Sequence, residues 1–194
     1  YCILMAGKHG KLKTGTNTYY NITCIRKKAK KVYRNPRLRR WQQMLKAYKY
    51  RIYPTNEQKE QIAKTFGCCR FVYNRTLAYR KEAYEKEKKN VNKTNCNNYC
   101  NQVLKKEYGW LKEVDKFALT NAIYNMDAAY QKFFKEHTGY PKFKSKHDGH
   151  KSYTTNFTNG NITADFDRGK VKLPKLKEVK AKLHRNFSGQ IKSA

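Results

Sequence analysis

Apolar and polar positions first alternate regularly at residues 48–52, with Tyr48, Tyr50 and Ile52 on one side and Lys49 and Arg51 on the other. A period of two predicts a half-buried strand in LKAYKYRIYP, stopped by Pro54. Thr55-x-x-Gln58 then has the form of a capping box, and predicts a helix beginning NEQKEQIAKTF with Ile62, Ala63 and Phe66 as its apolar stripe. Gly67 predicts a break. A second helix follows through RFVYNRTLAYRKEAYEKEKK, where Val72 or Tyr73, Leu77, Arg80 and Tyr84 return at three- and four-residue steps. Two helices joined at a glycine give a weak helix-turn-helix signal, since most such pairs simply pack together.

Residues 90–101, rich in Asn and Lys, read as a loop or a helix entry, and NQVLKKEYGWLKEV as a short helix and turn. The strongest helical pattern is DKFALTNAIYNMDAAYQKFFKE, with Leu119, Ile123, Met126, Ala129 or Tyr130, and Phe133 on one face. Asp115 is placed as its N-cap, which puts Lys116 and Phe117 in a first turn whose free N–H groups favour a phosphate. By pattern alone Phe117 is better read as core, and Lys116 serves equally as a solvated side chain. Four strand-like segments follow, SYTTNF, NITADF, KVKLP and EVKAKLHR, with hairpin signals at Asn159-Gly160 and Asp167-Arg168-Gly169. Asp165 and Asp167 flank the second turn, and turn chemistry explains them better than acid–base or metal chemistry.

Upstream of Met44 the pattern is lost, apart from a short strand signal around 19–25. Residues 1–43 carry many Lys and Arg and no Asp or Glu, and IRKKAKKVYRNPRLRRW reads as a flexible basic arm. It would bind phosphates, or be upstream sequence translated with the gene, and the order that begins at Met44 favours the second.

Charge narrows the class. The 194 residues carry a formal net charge of +30, which a fold tolerates best when a polyanion neutralises it. Nucleic acid is the first candidate. No apolar run approaches the roughly 20 residues of a membrane span, and no sustained basic amphipathic helix suits a membrane surface. YCILMAG is too short for a signal-peptide core, so a cytoplasmic protein is expected. The six cysteines make no CxxC pair; Cys96-x3-Cys100 with His147-x2-His150 has atypical zinc spacing, and structural cysteines are the better reading.

The candidate chemistry lies in 139–157, GYPKFKSKHDGHKSYTTNF. Lys142, Lys144, Lys146 and Lys151 alternate there with Tyr140, Phe143 and Tyr153. Cations that pair with phosphates, interleaved with rings that stack on bases, suit a nucleic-acid groove. The plainer reading is a solvated loop whose aromatics fold back onto the core.

These blocks, MLKAYKYRIYPTNEQKEQIAKTFGCCRFVYNRTLAYR, WLKEVDKFALTNAIYNMDAAYQKFFKE, GYPKFKSK, SYTTNFTNGNI and KVKLPKL, resemble in order the N-terminal half of the TnpB (OrfB) family of insertion-sequence proteins. The resemblance covers residues 44 to about 192 and excludes 1–43. It implies RNA-guided DNA endonuclease ancestry, in which a guide RNA from the transposon end reads the target and the protein reads a short adjacent motif. The implied fold is α+β: a small antiparallel, oligonucleotide-binding-like β-barrel (the wedge) from 44–54 and 151–194, expected to be incomplete here. A helical recognition lobe with a helix-turn-helix-like start would occupy 55–138, and a basic tether 139–150.

The resemblance further implies that Lys116, Phe117 and Thr120, with Thr158 and Asn159, grip DNA beside the target. Arg51, Arg70, Lys142, Lys144 and Lys146 would contact guide-RNA or DNA phosphates. The family's nuclease domain, with three acidic residues for Mg²⁺ and a four-cysteine zinc ribbon, has no counterpart in residues 44–194. The expected fragment is therefore a binding one, without metal ligands or catalytic residues. Alternatives are a nuclease-deficient guided repressor, a decayed remnant, or a conventional helix-turn-helix transposase domain that reads duplex DNA unaided.

Overall fold

Tyr48, Tyr50 and Ile52 are buried and Lys49 and Arg51 exposed, as the alternation requires. The computed structural model describes residues 25–28, 43–149 and 151–194. The chain divides into two units, one from residues 1–55 with 156–194 and the other from 56–155. The mixed helix-and-sheet class is as expected.

The first unit is built from strands. β1 (Ile25–Lys28) pairs antiparallel with β2 (Gln43–Lys46) and with a short C-terminal strand, β7 (Gln190–Ile191). Part of the stretch read as a flexible arm is thus a strand; residues 19–24 and 29–42 lie outside the described residues. A second sheet runs in the order β3 (Arg51–Tyr53), β6 (Lys177–Lys182), β5 (Lys170–Leu173), β4 (Thr163–Asp165), every pair antiparallel.

One face of this sheet buries Ile52, Val171, Leu173, Val179 and Ala181, each large side chain contributing about 1.5–3 kcal/mol. The other face is solvated and cationic. Tyr48 and Tyr50 stack with centroids 6.3 Å apart, and the Tyr50 hydroxyl donates to the Arg185 carbonyl at 2.6 Å.

Both predicted turns form. Asn159 and Gly160 have φ of 48° and 71°, the two positive values of a mirror-image turn, closed by Asn161 N donating to Thr158 O at 3.1 Å, but the expected hairpin does not form, because Asn156 bridges Ser193 and β4 pairs with β5. At the other turn Asp165 accepts from Arg168 N at 3.0 Å, the turn chemistry read in the sequence. Gly169 is required there: its φ is 60°, and an added Cβ would sit 3.3 Å from the Ala181 carbonyl oxygen.

SYTTNF does not form a strand. Only Asn156 makes a bridge, to Ser193, and the preceding residues belong to the second unit. There Thr154 O accepts from Asn121 Nδ2 at 2.8 Å and Thr155 donates to Asp115, so the extended segment is tied to helices by side chains.

In the second unit, α1 (Asn56–Glu87) runs unbroken through Gly67. A mid-helix glycine costs about 1 kcal/mol against alanine. Burial of Phe66, Cys68, Cys69 and Val72 around it outweighs that cost. Ala63 is exposed, and Thr65 takes a buried place, its hydroxyl donating to Gln61 O at 2.8 Å. Tyr84, expected on the apolar face, is exposed in the last turn of the helix.

Next come α2 (Lys93–Tyr99), a wide π-helical turn at Cys100–Leu104, the short α3 (Lys105–Glu107) and a 3-10 turn at Gly109–Lys112. Asn92 caps α2 by accepting from Asn95 N at 2.9 Å. α4 (Lys116–Glu136) buries Ala118, Leu119, Ala122, Ile123, Met126 and Tyr130 against α1. It ends at His137 in the left-handed region.

Candidate nucleic-acid interface

Asp115 caps α4 as its sequence position implies, accepting from Ala118 N at 3.2 Å. It also accepts the hydroxyl proton of buried Thr155. A carboxylate therefore already sits at this helix N-terminus, and a phosphate bound there by backbone N–H groups would compete with it. What α4 offers to solvent is its first-turn side chains. Lys116 is exposed, with Nζ 5.1 Å from the centre of the half-exposed Phe117 ring. Thr120 lies one turn on, and its hydroxyl donates back to Lys116 O at 3.1 Å. The three form one cationic and aromatic edge on a rigid element. Phe117, which periodicity alone assigned to the core, stays partly accessible.

Thr158 and Asn159 stand in the first unit, at the tip of the mirror-image turn, and both are exposed. Asn161 makes that tip rigid: its Oδ1 accepts from Thr158 N at 2.7 Å and its Nδ2 donates to Asn156 O at 3.0 Å. Arg51 is exposed on β3, directly opposite Lys182. Lys172, Lys180 and Lys182 share its solvent face. Lys180 faces Lys170, which is held by Glu178 at 2.9 Å; that bond, together with the Lys170 charge, lowers the Glu178 carboxyl below its ordinary value. Like charges directly across strands are destabilising, and a bound polyanion would relieve them.

Arg70, Lys142, Lys144 and Lys146 belong to the second unit. Lys142 and Lys146 are simply exposed. Arg70 on α1 and Lys144 line one cleft between α1, the start of α4 and the 144–154 segment, together with Lys151, Asp148 and Tyr153. Lys144 is positioned from both ends. Asn74 brackets its peptide, and its Nζ lies 4.6 Å from the Tyr73 ring centre.

The interleaved aromatics divide. Tyr140 and Tyr153 fold back onto the helices, Tyr140 sharing a 2.5 Å hydroxyl contact with Tyr130 and Tyr153 meeting Phe66 edge-on at 5.6 Å. Phe143 remains exposed, and Tyr140, although it touches Tyr130, keeps an exposed side as well. Burial raises the Tyr153 and Tyr130 hydroxyls above their ordinary range.

The cysteines serve the core. Cys96, Cys100 and Leu104 recur every four residues along one helical face and are all buried, so the Cys-x3-Cys spacing is a packing period. Burial pushes the Cys96 thiol up to about 11. His147 is exposed, and His150 lies outside the described residues. Among the described residues no three His, Cys, Asp or Glu come together as a metal set, and no helix is long and apolar enough to cross a membrane.

Sequence reasoning missed Asn74 and the Arg80–Asp127 pair, because each acts across a large sequence separation and carries no local signature.

Comparison with known proteins converges on one group. A family model described as a helix-turn-helix domain, HTH_OrfB_IS605, matches residues 44–89. In the structure these residues hold β3 and the continuous helix α1. The chain is 38% identical over 99 residues to virulence protein VsdF of Salmonella dublin, covering 47% of this chain and 83% of that protein. It is 36% identical over 101 residues to a provisionally named RNA-guided DNA endonuclease of Streptomyces pristinaespiralis, covering 52% of this chain and 25% of that one. A third relative, the provisionally named RNA-guided DNA endonuclease InsQ of Escherichia coli strain K12, is 25% identical over 150 residues, 77% of this chain and 36% of its own. The matches thus span about a quarter and about a third of the two endonuclease relatives.

Proposed function

The chain belongs to the TnpB (OrfB) family of insertion-sequence proteins, and from that premise we propose that it is the nucleic-acid-binding part of a transposon-encoded, RNA-guided DNA endonuclease. It binds a guide RNA from the transposon end and the DNA motif beside the target, in the bacterial cytoplasm and on the nucleoid. Two of the relatives carry RNA-guided endonuclease names, and the cationic sheet face gives this chain a physical reason to bind a polyanion.

Lys116, Phe117 and Thr120 contact DNA from the first turn of α4, and Thr158 and Asn159 from the rigid turn tip. Each set projects from a braced element, which base-edge recognition requires. Arg51, Arg70, Lys142, Lys144 and Lys146 hold phosphates. The two sheets of the first unit belong to a wedge-type barrel. The family's Mg²⁺ and Zn²⁺ have no matching donor set among the described residues, and no metal-dependent step is assigned to them.

The observation that carries the proposal is the exposed Lys116 beside the half-exposed Phe117 on a helix whose N-cap is fixed by a buried carboxylate. The test compares Lys116→Ala and Phe117→Ala on two probes. Both variants should weaken binding to duplex DNA carrying the target-adjacent motif while leaving guide-RNA affinity unchanged. Unchanged duplex binding in both would refute the assignment.

A second reading has a specific observation in its favour. VsdF aligns over 83% of its whole length in only 99 residues, so a relative exists at about the size of this match. For this chain the corresponding reading is a binding-only protein, acting as a guided repressor. It shares every binding prediction above and differs only in the absence of cleavage.

A further inference from the structure

The cleft between α1, α4 and the 144–154 segment contains a cation pair that is built rather than incidental. Asn74 holds the Lys144 peptide at two points: Oδ1 accepts from Lys144 N at 2.8 Å and Nδ2 donates to Lys144 O at 3.0 Å. A side-chain amide is here doing what a strand neighbour would do, fixing an otherwise irregular segment against α1. The side chain of Lys144 then crosses the face of buried Tyr73, which orients its ammonium. Arg70 lies one helical turn before Asn74, and Lys151 returns to the same cleft.

Among the described residues no carboxylate lies within ion-pair distance of Arg70, Lys144 or Lys151. Asp148 lines the cleft too, but its carboxylate accepts from Ser145 N at 3.0 Å and shapes the loop. Three cations against one anion leave an excess suited to a single backbone phosphate. Arg supplies the planar fork and Lys the point charge.

We infer that Arg70 and Lys144 together bind one phosphodiester of a nucleic-acid strand in this cleft, and that Asn74 is the positioning residue that sets Lys144 in place. This rests on the nucleic-acid-binding reading above and deepens it, because it predicts that the two cations act as a unit. Two sources offer the same chemistry, an RNA strand and a DNA duplex.

The test is a double-mutant cycle on the full chain, titrating one short single-stranded RNA and one duplex DNA across a salt series. Removing one phosphate contact lowers the slope of log affinity against log salt by about one. If the pair shares one phosphate, Arg70→Ala and Lys144→Ala each lower the slope by no more than about one, and the double variant lowers it by about one, where two separate phosphates would lower it by about two. Asn74→Ala removes no charge, yet should weaken the same probe several-fold, and this loss should vanish in a Lys144→Ala background. A merely structural Asn74 would instead add to Lys144→Ala and weaken both probes alike.

The probe that shows the coupling identifies the strand. A fall of about two in the double variant, or no change at all, on a probe that the wild type binds would overturn the shared site and leave the wider function standing. Failure of the wild type to bind either probe would overturn both. Should Asn74→Ala fail to fold, the Arg70 and Lys144 cycle still decides, since neither substitution disturbs the amide bracket.

Discussion

Arg80 on α1 donates to Asp127 on α4 at 2.8 Å, with both side chains largely withdrawn from water. The guanidinium also lies 4.1 Å from the Tyr130 ring centre and 3.4 Å from Asn90 Oδ1. One buried cation therefore joins α1, α4 and the loop before α2, and it is satisfied on each side. Removing either partner alone strands the other, at a cost of about 3–5 kcal/mol. Urea denaturation should show that loss for Arg80→Ala and for Asp127→Ala. The double change Arg80→Met with Asp127→Leu should recover most of it, and single-variant stabilities near the wild type would contradict the account.

Much of this architecture is legible locally. The period-two run at 48–52 gives the buried strand face, Asp115 gives a helix start, and Asn159-Gly160 gives a turn. Each depends on neighbours a few residues away. The unbroken α1 was not legible, because the burial that outweighs Gly67 comes from residues far along the chain, such as Ala118, whose carbonyl accepts from the Cys69 thiol across 49 residues. SYTTNF alternates like a strand, yet its partners are the Asn121 and Asp115 side chains rather than a ladder. Of the candidate site, the residue types were visible, but the bracket from Asn74 to Lys144 spans 70 residues and leaves no pattern.

The N-cap carboxylate has two clients, Ala118 N and the Thr155 hydroxyl. Asp115→Ala should cost more than an ordinary cap, about 2 kcal/mol or more, because both groups are left buried and unpaired. Thr155→Val should cost less, since Asp115 keeps its helix bond. Equal losses in chemical denaturation would show that the cap and the hydroxyl do not share the carboxylate as described.

Cross-strand charge in the first unit sets stability against binding. Lys182 faces Arg51, so Lys182→Glu replaces a like-charge pair with an opposite one. The gain should be about 0.2–1 kcal/mol. The same variant should bind RNA and DNA more weakly. A variant that is more stable and binds as tightly as the wild type would remove the sheet face from the interface.

Burial holds the Cys68 thiol at about 11 and the Cys69 thiol at about 12, above the ordinary thiol value of 9.0. A thiol raised in the folded state adds stability that is complete below the unfolded value and is lost as pH rises toward the folded value. Stability should therefore fall between about pH 9 and pH 12. The part due to Cys69 should be absent in Cys69→Ala, and a thiol reagent at neutral pH should label these positions slowly. Fast labelling of the folded protein would contradict the burial.

The most direct measurement is duplex DNA binding by the full chain with and without RNA from the transposon end, over a range of salt. The account predicts weak, salt-sensitive and sequence-indifferent binding alone, and tighter, motif-dependent binding once the RNA is supplied. Sequence-specific duplex binding that is equally strong without RNA would contradict it, and would identify a self-sufficient DNA reader instead.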